Sequence, residues 1–282
     1  MTVKSFVSTS SVVLAAAALL VPSAAAQQSE YKIDSRDNIV KSARTLAANL
    51  RTYYKGTEKG ETPGILPGPP TEHKGDYYWG QASAYWSAYL DHWHKTGDDR
   101  YNDIATQGLL HQAGEMYDYQ PLNHTASLGN EDSCNWALAA LLAAENGLPE
   151  PETEGVTWLG LAQKVFGNLA HPDRHDDTCG GGLRWQVPPT NMGYDYKNTM
   201  SNGCFFNLAA HLARFTGNET YAESAAATFD WLEKVKYVDT KEWRVFDGGH
   251  VQHNCTDINK AQFSFNAGIL VEGAAFMYNF VC

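Results

Sequence analysis

Two ten-residue stretches constrain the fold of this chain most. Residues 96–105 read TGDDRYNDIA and residues 216–225 read TGNETYAESA. Thr, Gly, Tyr and Ala recur in place, and three further positions keep an Asx residue or an acid. In each copy the glycine can take the left-handed conformation that closes a helix. Asp98 or Asn218 then offers a side-chain oxygen to cap the next one. A helix–turn–helix that appears twice implies stacked helical hairpins, as in a solenoid or toroid.

Hydrophobic spacing agrees. Ile39, Ala43, Leu46, Leu50 and Tyr53 step by four and three, which puts them on one helical stripe expected to be buried. Similar patterns place helices near 78–95, 100–113, 131–147, 157–170, 199–215, 219–236 and 260–279, eight in all, and no long alternating strand competes. The fold class is therefore all-α. Residues 55–76 are rich in Gly and Pro and connect helices. Residues 172–198 form a second long loop with many aromatics, and a loop of that length in a compact domain usually serves function.

The first 26 residues read as a secretory signal. Lys4 starts it, an apolar run extends from Ser11 to Val21, and Ala24, Ala25 and Ala26 offer a small-residue cleavage site. The run is too short to span a bilayer, so no membrane-spanning segment is expected once it is removed. Residues 27–282 then form one domain. Export fits the three glycosylation sequons at Asn123, Asn218 and Asn254. It also makes one or two disulfides expected among Cys134, Cys179, Cys204, Cys255 and Cys282, in a pairing the sequence leaves open. The protein is expected to be secreted or held at the cell wall or surface, as a monomer.

The formal charge of −11 argues against nucleic acid, whose affinity comes largely from neutralised phosphates. A neutral polymer such as a polysaccharide fits better. Gly180-Gly181-Gly182 lacks the Lys-Ser/Thr of a phosphate loop and reads instead as a tight turn that lets Arg184 and Trp185 face a cleft. His171, His175, Asp176 and Asp177 lack metal-ligand spacing. No Gly-x-Ser-x-Gly occurs. No cofactor and no metal are expected.

The stretch GNEDSCNW, residues 129–136, puts two acids at a helix start, with Asn130 available as a cap. Carboxylates there are favoured by the helix dipole without any catalytic role. A sharper reading is available, because carboxyls about 5–5.5 Å apart suit a retaining glycosidase, one as nucleophile and one as proton donor. The donor must keep its proton near neutral pH, and a charged neighbour and partial burial both raise its pKa. Aromatics supply faces for sugar rings. Trp86, Tyr89 and Trp93 repeat at helical spacing and belong to the core. Tyr77, Tyr78 and Trp79 precede the helix and can line a cleft, as can Trp185, Tyr194 and Tyr196 in the long loop.

The segments GNEDSCNWALAA, CGGGLRWQ, GYDYKNTMSNGCFFNLAAHLARFTGNETY and NCTDINKAQFSFNAG resemble the fungal branch of glycoside hydrolase family 76. That branch comprises endo-α-1,6-mannanases and related cell-wall proteins proposed to act as transglycosidases. The resemblance runs from about Tyr31 to Asn279 and implies an (α/α)6 toroid of six inner and six outer helices. Eight helices supply only part of it, so the toroid is expected to be incomplete at its C-terminal end, without the Ser-rich spacer and apolar tail of a lipid-anchor signal.

The resemblance also implies a retaining endo-glycosidase acting on α-1,6-linked mannan, with Glu131 as nucleophile and Asp132 as general acid/base. Asn130, Tyr78, Trp79, Trp185, Tyr194, Asp195 and Asn266 would shape the cleft. Three departures stand out. Glu131 replaces the family's first aspartate. Trp79-Gly80-Gln81-Ala82-Ser83 stands where Trp-Trp-Glu-Ala-Gly is usual. Phe263-Ser264-Phe265-Asn266 replaces Trp-Thr-Tyr-Asn. The alternative is a catalytically weakened, mannan-binding paralogue.

Overall fold

The computed structural model describes residues 31–282. The expected signal peptide lies outside the described residues. Two compact units divide the chain between Ser42 and Ala43, a boundary inside helix α1 (Arg36–Arg51). In the described part of the first unit, Ser42 Oγ accepts from the Lys32 amide at 2.7 Å and donates to the Lys32 carbonyl at 2.8 Å.

The second unit carries α2 (Gln81–Thr96), α3 (Asn102–Gln112), α4 (Asn130–Glu145), α5 (Trp158–Leu169), α6 (Thr199–Thr216), α7 (Glu219–Lys234) and α8 (Ser264–Val281). Every helix expected from the periodicity is present, shifted by a few residues at its ends. Among the described residues the strands are short: β1 (Tyr196–Asn198), β2 (Val238–Asp239), β3 (Arg244–Val245) and β4 (Gly248–His250). They form two antiparallel ribbons, β1 with β4 through Tyr196↔His250 and β2 with β3 through Val238↔Val245.

Helices α2, α4, α6 and α8 pack side by side in that order, while α3, α5 and α7 each pack back on the helix before. An outer helix returns the chain after every inner one, so the inner helices run parallel. Their N-termini gather at one end. The core between the layers is built from bulky side chains withdrawn completely from solvent, among them Trp86, Trp136, Trp158, Leu90, Leu109 and Leu141. Each such side chain contributes roughly 1.5–3 kcal/mol on burial. Trp86 and Tyr89 are buried, and Trp93 packs against them, as their spacing predicted.

The sequence echo is a structural one. Gly97 and Gly217 both adopt φ +70°, and their amides donate to the Trp93 and Ala213 carbonyls at 2.7 and 2.8 Å. Thr96 and Thr216 each donate a hydroxyl one turn back, to His92 and Leu212, at 2.6 Å. Asn218 then caps α7 by accepting from the Thr220 amide at 3.0 Å. Asp98 departs from its expected role. It folds onto Arg100, whose Nε donates to it at 2.7 Å, and α3 starts later, at Asn102. The ion pair claims the carboxylate before the helix can use it.

The Gly/Pro loop 55–76 is tied to α2 and α3. The Trp86 indole donates to the Gly64 carbonyl at 2.8 Å, and Gln112 Nε2 donates to the Pro63 carbonyl at 2.6 Å. The apolar stripe of α1 is not buried as expected: Ile39, Leu46 and Tyr53 are exposed, and Leu46, Leu50 and Tyr53 line an open groove of about 500 Å³ with Ala88 and Lys95, toward the C-terminal end of α2. The three sequon asparagines are all exposed. Among the described residues, no helix is long and apolar enough to cross a membrane.

One disulfide forms, Cys179–Cys255, across a sequence separation of 76. It fastens the long loop to the turn after β4. Cys134 and Cys204 are buried free thiols and Cys282 is exposed. A cross-link closing so long a loop stabilises by about 2–4 kcal/mol. Replacing Cys179 and Cys255 together by Ser is expected to lower the unfolding free energy by about that amount in urea titrations. An unchanged midpoint would show that the loop is held by its other contacts.

Candidate active site

The gathered N-termini frame the acid pair. Glu131 and Asp132 occupy the first turn of α4 and are both partly exposed. Gly80 immediately precedes α2, Ser201 lies in the first turn of α6, and Asn266 lies in that of α8. Each helix start directs unpaired amides and positive dipole toward this end.

Glu131 is held by both oxygens. The Trp185 indole Nε1 donates to Oε1 at 2.6 Å, and the Ser201 hydroxyl donates to Oε2 at 2.6 Å. Asp132 is held by one oxygen only, with the Gly129 amide donating to Oδ2 at 2.9 Å. This bond makes Asp132 the capping side chain of α4. Asn130 is not the expected cap, because it is already the first helical residue and its amide group points elsewhere. No lysine, arginine or histidine forms an ion pair with either acid among the described residues.

Without such partners, the environment favours protons. Burial pushes the Glu131 carboxyl well above the ordinary carboxylate range, and the neighbouring Asp132 charge pushes it further, against the two donors, which lower it. Burial also raises Asp132, opposed by the Gly129 amide. The pair therefore titrates as a unit near neutrality.

The long loop brings Trp185 to Glu131, and a buried charge cluster shapes that loop. Lys197 is fully buried, and its ammonium donates to Asp176 Oδ1, the Thr178 carbonyl and the Gly181 carbonyl at 2.8–2.9 Å. Arg184 Nε donates to Asp176 Oδ2 at 2.6 Å. So Arg184 does not turn into the cleft as expected, because Asp176 and the Tyr194 carbonyl take its guanidinium, which also lies over the Tyr194 ring. Only Trp185 makes the turn. Asp176 belongs to this clamp, and His175 Nε2 lies 2.8 Å from the Leu169 carbonyl.

The remaining predicted residues divide. Tyr78 is half exposed. Trp79 is half-buried, its indole donating to Gln112 Oε1 at 2.7 Å while its ring stacks on His124 and leans on Trp136. Asn130 does not line a cleft: it is buried, donating to the Arg184 carbonyl at 2.8 Å and accepting from Arg174 at 3.0 Å. It ties α4 to the loop. Tyr194 lies under Arg184, and Asp195 is exposed. Asn266 is fully buried, with Nδ2 3.4 Å from Asp247 Oδ1.

Sequence reading missed Ser201 and Asp247. Asp247 accepts from the Tyr196 hydroxyl at 2.9 Å and from Asn259 at 3.2 Å. Its backbone carbonyl accepts from the Thr199 amide at the start of α6. Neither residue carries a local signal: Ser201 meets Glu131, and Asp247 meets Tyr196 and Asn266, only through long-range packing.

A model of glycosyl hydrolase family 76 matches residues 38–281. The chain is 41% identical over 252 residues to the mannan endo-1,6-alpha-mannosidase DCW1 of Candida glabrata, and 40% identical over 253 residues to DCW1 of Saccharomyces cerevisiae. Each match covers 89% of this chain and 54% of the relative. The chain thus spans about half the length of the curated relatives it matches. Dfg5 from Chaetomium thermophilum, solved in complex with glucosamine, superposes with a TM-score of 0.87 at 60% identity, over 89% of this chain and 61% of that one. An inactive variant of the α-1,6-mannanase GH76A of Salegentibacter sp. HEL1_6, with two adjacent aspartates replaced by alanine and α-1,6-mannotetrose bound, shares the fold. It superposes at a TM-score of 0.66 and 18% identity, over 85% of this chain and 64% of that one. The alternation of inner and outer helices is the hairpin construction of the family's α/α toroid.

The raised carboxyls have a consequence for stability. Unfolded, both titrate near pH 4. Folded, they keep protons to higher pH, so between pH 4 and neutrality the folded state binds more protons than the unfolded one. Stability contributed by the pair is then full below about pH 4 and falls as pH rises. Replacing Glu131 by Gln and Asp132 by Asn together removes this titration. The double variant is expected to gain stability over the parent near pH 7 and to lose the advantage near pH 3, in urea titrations across pH. A constant difference would mean the acids are not perturbed by folding.

Proposed function

The chain belongs to glycosyl hydrolase family 76, and from that premise we propose that it is a retaining glycosidase acting on α-1,6-linked mannan at or outside the cell surface. The observation that carries this reading is the unequal treatment of two adjacent acids. Glu131 receives two side-chain donors, which favour its ionised form. Asp132 leaves Oδ1 without a donor, so that oxygen is free to present the pair's proton to a departing sugar oxygen.

The chemistry follows from that asymmetry. Glu131 attacks the anomeric carbon as the bond to the departing sugar oxygen breaks, and Asp132 gives that oxygen its proton. The product is a glycosyl ester on Glu131. Asp132, now a carboxylate, takes a proton from water as the water oxygen attacks the same carbon, which releases Glu131. A sugar hydroxyl in place of water completes a transglycosylation by the same steps. Tyr78 and Trp185 are the exposed aromatics that offer faces to the sugar rings, while the Trp79 ring is already stacked on His124. The Glu131 side chain is one methylene longer than aspartate, and Glu serves as a nucleophile in retaining glycosidases.

Purified protein should release reducing ends from linear α-1,6-mannan, with the anomeric configuration retained by proton NMR. Asp132→Asn should lower turnover at least a hundredfold with an unchanged circular dichroism spectrum. Mannan binding without any turnover by the parent would replace this reading with that of a binding protein.

A further inference from the structure

Two glycines flank the acid pair, and neither is required by its backbone. Gly129 has φ −88° and ψ 153°, which is extended, and Gly80 has φ −61° and ψ −27°, which is helical. Any L-residue adopts either conformation. What excludes a side chain is the acids themselves. A Cβ on Gly129 would sit 2.8 Å from Glu131 Oε1 and 3.0 Å from Oε2. On Gly80 it would sit 2.3 Å from Asp132 Oδ1. In both cases every atom among the three nearest belongs to the acid. Both glycines are buried.

We propose that Gly80 and Gly129 are positioning residues, each a bare backbone seat on which one of the two carboxyls rests. The proposal rests on the catalytic reading of the acid pair and adds what sets their placement. A methyl group on either seat costs the fold little, because a side-chain end can swing aside. The swing is not free for the site. Glu131 would have to leave Trp185 and Ser201, and Asp132 would have to leave the Gly129 amide. Gly129 also accounts for the longer acid at 131: the extra methylene brings the carboxylate back over residue 129, where only glycine leaves room.

The test uses Gly80→Ala, Gly129→Ala, Glu131→Asp and the Gly129→Ala/Glu131→Asp pair in the full chain. The melting temperature should change little in Gly129→Ala, since alanine restricts the unfolded chain, and fall by a few degrees in Gly80→Ala, which loosens the Asp132 cap of α4. Turnover of linear α-1,6-mannan should fall about a hundredfold for each alanine variant, the cost of misplacing a catalytic group by about 1 Å, while KM changes less than about twofold. The two seats should separate by pH. Gly129→Ala strips donors from the nucleophile and should move the acidic limb of the kcat/KM profile upward, whereas Gly80→Ala strips the donor from the acid and should move the basic limb upward. Adding Glu131→Asp should recover at least about tenfold of the loss in Gly129→Ala, because the shorter acid clears the methyl.

Carbon-13 titration of the two carboxyls gives a readout independent of turnover. Shifted carboxyl titrations in the alanine variants of a chain that leaves mannan uncleaved would support the seats and remove the mannanase reading. Alanine variants that titrate and turn over like the parent would overturn the proposal. Failure of Glu131→Asp to recover any activity would overturn the pairing of Gly129 with the longer acid.

Discussion

Two carboxyls on consecutive residues, half-buried and without a cation, cannot both stay ionised at low cost. That constraint organises this end of the molecule. Burial of both carboxyls, and the Asp132 charge acting on Glu131, hold a proton on the pair, and hydrogen bonds leave one oxygen, Asp132 Oδ1, without a donor. Two side-chain donors favour charge on Glu131, while a single backbone amide leaves Asp132 able to keep the proton. Four helix N-termini face the same place and supply positive potential without introducing a lysine or arginine that would strip the proton away.

The donors come from distant parts of the chain, so their placement depends on how those parts are held. Ser201 arrives on α6, an inner helix with an almost wholly buried first turn. Trp185 arrives on a long loop, which is a less rigid support. The loop is given rigidity by a buried Lys197–Asp176–Arg184 cluster, by Asn130 and Arg174 at its junction with α4, and by the Cys179–Cys255 bridge. A buried ion pair contributes little net stability after desolvation, but removing one partner is expensive. Such a cluster suits a loop that must keep one shape. None of these groups touches the acids directly, apart from Trp185 and Ser201.

The three departures from the family pattern look different in this setting. Glu131 is longer, and Gly129 gives its carboxylate room. Gly80 lacks a side chain and thereby lets Asp132 lie back toward α2. Phe263 and Phe265 have lost polar tips and stack on each other at the surface, while Asn266 beside them stays buried at Asp247. The first two changes concern the same pair of acids from two sides, and space is what connects them.

Helix positions were legible because apolar spacing and the Thr-Gly-Asx turn are local signals, set by bonds reaching no more than four residues. The acid pair was legible as a motif for the same reason. Its surroundings were not. Lys197 carried no signal in the sequence and is a buried clamp. Arg184 looked aimed at the cleft and is held by Asp176. Asn130 looked like a cap and is a strut. Ser201 and Asp247 gave no signal at all, since their partners lie 70 and 51 residues away in the chain. The sequence by itself determined an all-helical chain of repeated hairpins with two adjacent acids at a helix start. Only the tertiary structure decided which groups donate to each acid and where glycine leaves room for it. Those are matters of distance between separate helices, and no local pattern encodes a distance across a packed core.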